Sequence, residues 1–467
     1  MKKSILVISM LVALVTTNSC QREESNVEPI KTIAEKHSHV VSIDDALEEL
    51  YAVLDAIGEP TRSRNTIEIE NIHIVSRGST TRSSDTLALN GSADTTLYLV
   101  NFADSSGYAV LGADDRLAPV YAVVDSGSIN PEAFAINESP DTSLVSNLYV
   151  AEEDEYLIGG AGDNFQNELI KEATDDEGYI SDENGIIGAE GSGTSITTQT
   201  TPWSQIVVPP MLKTKWSQRS PFNDKVPLNI NTGNRNPAGC VAIAVARVMA
   251  YWQYPADYCR WDMVDSLLLY DPQCAAYEYG DDEEREEVAS LAFNVAEGCE
   301  TKYGFAETWR PFDQDMQEYS FSTPQRAVKF LNDIGYVAHK HKDYYASDEA
   351  RIEANLNGGK PVLVSAFSGV WYGHMWVIDG LIKRERTIKT LTDGVVTSSK
   401  VEKQLLLHCC WGWYHGQGDG YYLSGIFSPY RGAMEFEESL GESAENSSDT
   451  RKYHWHFRTI TYDIPRK

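Results

Sequence analysis

Between residues 42 and 57 apolar side chains return at helical spacing, and Ala46, Leu47, Leu50, Tyr51, Val53, Leu54 and Ile57 can share one face. That i, i+3, i+4 rhythm predicts an amphipathic helix. From residue 67 to about 124 the rhythm shortens to that of strands. Residues 67–69, 72–75, 96–102, 107–111 and 120–124 are short β-prone runs, joined by gaps as brief as Ala103-Asp104-Ser105-Ser106, so the first region is predicted as an α+β module rich in antiparallel hairpins. A helical tail that includes residues 140–157 is predicted to close it. Residues 159–201 then turn to Gly, Ser, Thr and acidic side chains. Such a stretch buries too little apolar surface to order itself, which makes it a linker open to proteases.

The second region reverses the order. An apolar stretch from Cys240 to Trp252, stopped at Tyr254-Pro255, predicts a buried helix; further helices are predicted over 283–303 and 324–334. Strands follow at 361–367, 375–381, 403–408 and 420–423. Helices first and antiparallel strands second give an α+β fold, with a cleft between the two halves as the natural place for a site.

At 467 residues, 42% of them hydrophobic, the chain can bury two or three cores. The formal charge of −30 argues against a nucleic-acid or anionic-membrane binder, because phosphate contact needs concentrated Lys and Arg. Acidic runs such as Glu152-Glu153-Asp154-Glu155 are solvated surface. At the N-terminus, Lys2-Lys3, an apolar run over 5–15 and Thr16-Thr17-Asn18-Ser19-Cys20 form a targeting segment too short to be a stable transmembrane helix. A small residue directly before Cys20 resembles a bacterial lipoprotein processing site, with ordinary secretory cleavage as the rival. Either route exports the protein, and a lipid on Cys20 would be its membrane contact. The resulting division is 1–20 signal, 21–41 tether, 42–158 first region, 159–201 linker and 202–467 second region.

The seven cysteines are Cys20, Cys240, Cys259, Cys274, Cys299, Cys409 and Cys410. Setting aside Cys20 and Cys240 leaves an odd number, so the rest cannot all pair within one chain. One disulfide among Cys259, Cys274 and Cys299 is plausible in an oxidising compartment. Cys240 is the candidate nucleophile: on the first turn of a helix, unpaired N–H groups and the helix dipole favour thiolate. Its base must be a histidine brought near in space. His374, in Gly373-His374-Met375-Trp376-Val377-Ile378-Asp379-Gly380, enters a buried strand beside a residue without a side chain. It follows Cys240 by 134 positions, 374 − 240, within papain-like spacing. His408 lies in an apolar run and reads as a satisfied core residue; His415 is the weaker rival base.

Together these residues resemble the streptopain family of bacterial cysteine peptidases. Gly239-Cys240-Val241-Ala242-Ile243-Ala244 with Met249-Ala250-Tyr251-Trp252-Gln253-Tyr254-Pro255 resembles its nucleophile motif. The segment around His374 is similar to its histidine motif, and His408-Cys409-Cys410-Trp411-Gly412-Trp413 to its His-x-Asn-Trp-Gly-Trp motif. Residues 97–102, 107–111 and 113–120 are similar to its inhibitory prodomain. The resemblance implies a papain-like two-lobed catalytic domain preceded by an α+β prodomain, acting on protein or peptide substrates, with the prodomain as intramolecular inhibitor and no cofactor. It implies Cys240 as nucleophile, His374 as general base and then acid, and Gln218 as an oxyanion-hole donor beside the Cys240 N–H, with Gln205 a near-duplicate ranked second. It also implies Trp411 as a shield for the histidine's outer hydrogen bond and Gly373 as a point of close substrate approach. Losing one oxyanion donor typically costs about 10²- to 10³-fold in turnover.

Cys410 stands where the family pattern has Asn. A thiol is a poor partner for an imidazole N–H, so another carbonyl would have to orient His374, or turnover would suffer. Residues 302–309 also lack the expected Ser- and Gly-rich wall loop. Three functions follow: a secreted endopeptidase zymogen; a surface lipoprotein that keeps the fold but binds rather than cuts; and a metal site on Cys409, Cys410 and a nearby histidine, disfavoured because adjacent cysteines lack zinc-ligand spacing.

Overall fold

The computed structural model describes residues 39–58, 66–76, 79–84, 95–129, 196–230, 232–266, 281–303, 320–342, 346–367, 373–413, 416, 418–425, 427, 453 and 455–465. The predicted signal segment, most of the tether, the helical tail and most of the linker lie outside them. No helix among the described residues is long and apolar enough to cross a membrane.

The first region opens with a helix over Ile43–Ile57. Ser42 caps it, accepting from the Asp45 N–H at 3.1 Å, and Gly58 ends it in the left-handed conformation at φ 72°, where a side chain would be strained. Five antiparallel strands follow: β1 (Ile69–Ser76), β2 (Ser79–Ser84), β3 (Thr95–Phe102), β4 (Tyr108–Gly112) and β5 (Val120–Val124). Tyr98, Val100, Phe102, Ala109, Leu111 and Val123 face the helix. Leu97, Leu99, Val110 and Val124 face an aromatic cluster contributed by the second region. Burial on both faces is why these strands read as unbroken apolar runs.

The remaining strands are β6 (Ile196–Thr200), β7 (Ser204–Val208), β8 (Lys302–Tyr303), β9 (Ser320–Phe321), β10 (Val337–Lys342), β11 (Val362–Phe367), β12 (Gly373–Thr392), β13 (Val395–Cys410), β14 (Gly420–Leu423) and β15 (Trp455–Asp463). The main sheet runs β10-β15-β11-β12-β13-β14-β5-β4-β3-β1-β2. Its first-region strands join at β14, where Gly420 opposes Val124 and Tyr422 opposes Ala122. A Cβ on Gly420 would lie 2.5 Å from the Val123 carbonyl, so this backbone approach needs a glycine.

Helices over Cys240–Trp252, Trp261–Ser266, Asp282–Gly298 and Pro324–Asp333 build one core with Leu363, Met375, Val377, Cys410, Ile460 and Tyr462 of the sheet. Within the Cys240–Trp252 helix every residue from Val241 to Ala250 is buried, as expected of a helix apolar on all sides. A further helix, Ala346–Asn357, adds Ile352 and Leu356 to the opposite face of the strands. Alternation along β12 thus sends Met375 and Val377 to the helical core and Trp376 and Ile378 to the aromatic one.

Several boundaries differ from expectation. The predicted 283–303 helix ends at Gly298, and Lys302–Tyr303 is a strand. β2, β6, β7, β10 and β15 extend beyond the predicted strands, and β12 and β13 run far past them to a turn at Asp393-Gly394, both at positive φ (51° and 78°). That pairing of signs is a hairpin turn matched to strand twist. The described residues form two compact units, one of 196–201 with 387–400 and the other of the rest. In the smaller unit β6 pairs the end of β12, Thr200 opposite Ile388.

Candidate active site

Cys240 begins its helix after Gly239, whose φ of 99° suits a residue without a side chain. Gly239 also has no side chain with which to cap the first helical amides. The backbone N–H groups of Met375, Val241 and Cys240 itself act on the Cys240 sulfur to favour its thiolate. The amides at the helix start thus act in the expected direction, but burial outweighs them and pushes the Cys240 pKa up. Desolvation disfavours the charged form more than three dipoles favour it.

The Met375 contact places the nucleophile and histidine motifs one peptide unit apart. His374 itself is buried, and its ring lies on the Trp376 side of β12. It stacks near Trp376 at 6.4 Å and Trp411 at 6.0 Å, and it tilts against Trp413 at 5.1 Å and Tyr453 at 5.7 Å, all between centroids. Its Nε2 donates to the Trp411 carbonyl at 2.8 Å. A carbonyl only accepts, so this bond fixes the proton on Nε2 and leaves Nδ1 as the basic nitrogen of the neutral ring.

The orienting group is therefore backbone, and Cys410 is directed elsewhere. Its Sγ lies 3.7 Å from His408 Nδ1, on the strand face that meets the helical core. Burial, then the Asp379 charge, raises its pKa to about 11, so it is a neutral thiol. Trp411 is held in turn by Asp419, whose Oδ1 accepts from the Trp411 N–H at 2.8 Å. Asp419 is fully buried and flanked by Lys215 at 3.5 Å and Arg247 at 3.9 Å. Arg247 belongs to the nucleophile helix and also donates to the Thr214 hydroxyl and carbonyl at 2.9 and 2.6 Å. A buried polar path thus runs from the helix of Cys240 through Asp419 and Trp411 to His374.

Gln218 is buried, and its backbone carbonyl accepts from the Ala238 N–H at 2.9 Å, which brings this segment beside the Gly239-Cys240 junction. Gln205 lies on exposed β7 opposite Arg384, away from that junction. Gly412, at φ 74°, passes so close to the nucleophile helix that a Cβ would meet Ile243 at 3.2 Å. Gly373 has a packing reason of its own, since a Cβ there would sit 2.8 Å from the Phe367 ring.

His408 is the satisfied core histidine that its apolar run suggested, but its partners are charged. Its Nδ1 lies 2.6 Å from Asp379, and its Nε2 lies 3.3 Å from Asp125 of the first region. Burial works against charge on the ring, yet the Asp379 carboxylate, with Asp125 as a further partner, outweighs it and holds its pKa well above the usual imidazole value. Burial likewise opposes ionised Asp379, but His408 and the Leu212 N–H keep its pKa low. Asp379, His408, Cys410, Arg247 and Asp419 form a cluster of which sequence reasoning saw only the last motif's His and Cys; the Asp-Gly pairs at 379 and 419 were the available signal.

Asp379, His408 and Cys410 bring ligand-type atoms within 4.8 Å of one another. They do not make the Cys409–Cys410 metal pair that the sequence already disfavoured, because Cys409 points to the other face and contacts the Leu407 carbonyl at 3.7 Å. The imidazole nitrogen is occupied by its carboxylate, and Asp379 Oδ2 accepts from Met211 and Leu212 at 3.0 and 2.7 Å. Cys259 and Cys299 are free thiols, so neither forms the anticipated disulfide here. Cys20, Cys274 and His415 lie outside the described residues.

Residues 216–422 match the family model of the Peptidase C10 family, the streptopain family whose motifs the sequence displays. No curated protein matches the chain. Among solved structures, a prointerpain A fragment from Prevotella intermedia is similar at 18% identity, covering 80% of this chain and 96% of its own, with a TM-score of 0.43. Active interpain A cysteine protease from the same organism is similar at 19% identity, covering 54% of this chain and 94% of its own, with a TM-score of 0.37.

Proposed function

We propose that this chain, whose residues 216–422 match the Peptidase C10 family, is the precursor of an exported cysteine endopeptidase with a papain-like two-lobed catalytic domain. The observation that carries the reading is the meeting of the two motifs: Cys240, at a helix start, packs against the core that includes Met375, the residue after His374. Catalysis then requires the His374 ring, which rests on the Trp376 face of β12, to be brought round toward the Met375 face so that Nδ1 reaches the sulfur. Nδ1 takes the thiol proton, the thiolate attacks a peptide carbonyl, and Nε2 stays tethered to a backbone oxygen or re-forms that bond after the turn. The Cys240 N–H and the Gln218 amide stabilise the tetrahedral oxyanion, the imidazolium protonates the leaving amine, and water releases the acyl group.

The raised Cys240 thiol and the ring packed among Trp411, Trp413 and Tyr453 fit a resting precursor. Residues 42–158 act as the inhibitory prodomain, cleavage falls within 159–201, and a lipid on Cys20 anchors the exported chain. The same resting features favour the second reading, a catalytically impaired binding lipoprotein. Purified protein carried through cleavage within 159–201 and then incubated with casein, with and without iodoacetamide, separates the two. Peptidase activity that iodoacetamide abolishes, together with labelling of Cys240, is expected; neither labelling nor proteolysis sinks the peptidase. Cys240→Ser is expected to leave the precursor uncut, read by gel, if maturation is autocatalytic.

A further inference from the structure

Far from any group used in that chemistry, one carboxylate of the first region enters a seat made by the second. Glu49, on the Ile43–Ile57 helix, accepts from Trp203 Nε1 at 2.8 Å. It also pairs with Arg386 and lies 3.4 Å from Arg384 Nη2. Both guanidinium carbons sit 4.2 Å from the centroid of the Trp203 ring, a cation–π arrangement that fixes the two forks around the indole edge. Arg384 and Arg386 alternate with Glu385 along β12 and so project to one face.

The seat is built rather than incidental. Arg384 has a fully buried side chain, and its Nε end is committed to Gln404 at 2.6 Å, which itself donates to the Val120 carbonyl at 2.7 Å. Its two terminal nitrogens have no hydrogen-bond partner of normal geometry; Glu49 supplies the neighbouring negative charge. Burial lowers the Arg384 pKa to about 10, with Glu49 the largest opposing influence and Arg386 adding to the depression. Glu402 bonds Arg386 at 2.5 Å, so of the two anions beside the two cations Glu49 is the one that lies against Arg384. A buried guanidinium left without a carboxylate is strongly unfavourable.

We propose that Arg384, Arg386 and Trp203 form a carboxylate-binding site for acidic peptides, filled by Glu49 in the intact chain and opened when the first region departs. The departure rests on the zymogen reading; the site itself does not. Two forks and an indole N–H match the planar acceptor geometry of a carboxylate, and an amide of the same shape lacks the charge that Arg384 needs.

The test uses the full-length chain with Glu49→Ala, titrated with tri-glutamate or tri-glutamine at constant ionic strength and read by calorimetry and thermal shift. Saturable tri-glutamate binding with a rise in Tm is expected, with neither effect for tri-glutamine or for the unaltered chain. Adding Arg386→Gln is expected to weaken binding roughly tenfold or more. A folded Glu49→Ala chain that binds neither peptide, or both equally, overturns the proposal. Glu49→Ser, which leaves room for water in the seat, carries the same titration if the alanine chain does not fold. Because these readouts need no proteolysis, failure on casein and failure here are separate results.

Discussion

The reactivity of Cys240 is decided by a contest between desolvation and three amide dipoles, and burial wins in the intact chain. Its thiolate fraction is therefore small at neutral pH. Alkylation of Cys240 in the precursor is expected to be slow at pH 7 and to quicken continuously as pH rises, as mass-spectrometric labelling would show; rapid labelling at pH 6 would contradict this. The His408 pair has the opposite sign. A histidine whose folded pKa is raised contributes stability fully below its unfolded value of about 6.5, and loses that contribution as pH climbs through the folded value. His408→Gln is expected to cost about 3–5 kcal/mol by leaving Asp379 buried without its cation, with the gap to the unaltered protein narrowing at alkaline pH in urea titrations. Asp419→Asn removes the charge that balances Lys215 and Arg247 and loosens the Trp411 carbonyl on which His374 rests. A displacement of about 1 Å there can cost on the order of 10²-fold, so turnover on casein peptides is expected to fall while KM holds.

At the scale of elements, legibility followed burial. The Ile43–Ile57 helix and strands β3, β4 and β5 matched their apolar patterns because each packs at least one full face into a core. β2, β6 and the far ends of β12 and β13 were not legible, since Ser, Thr and Lys dominate them and their pairing depends on backbone partners rather than on an apolar face. Asp393-Gly394 did carry a hairpin signal, unused because its flanks do not alternate cleanly. The junction of β14 with β5 lives at the same scale. Gly420→Ala pushes a methyl against the Val123 carbonyl, and such overpacking is expected to destabilise by roughly 1–3 kcal/mol. Limited proteolysis should then release the first region sooner; an unchanged digestion pattern and Tm would show that the close approach has slack.

Across the whole molecule, the first region is bound to the second by three unlike devices: a continuous sheet, the Glu49 seat and the Asp125–His408 contact. Each is lost together when the strands part, so separation is expected to be cooperative, whereas each device can be weakened alone by substitution. What the sequence by itself determined was the candidate nucleophile, the candidate histidine, the order of helices before strands and the family resemblance, because those are properties of local pattern and residue type. Only the tertiary structure decided that the thiol rests protonated, that a backbone carbonyl orients His374 in place of the missing Asn, and that Cys410 turns to His408. These outcomes depend on burial and on which strand face meets which core, and both are set by neighbours distant in the chain.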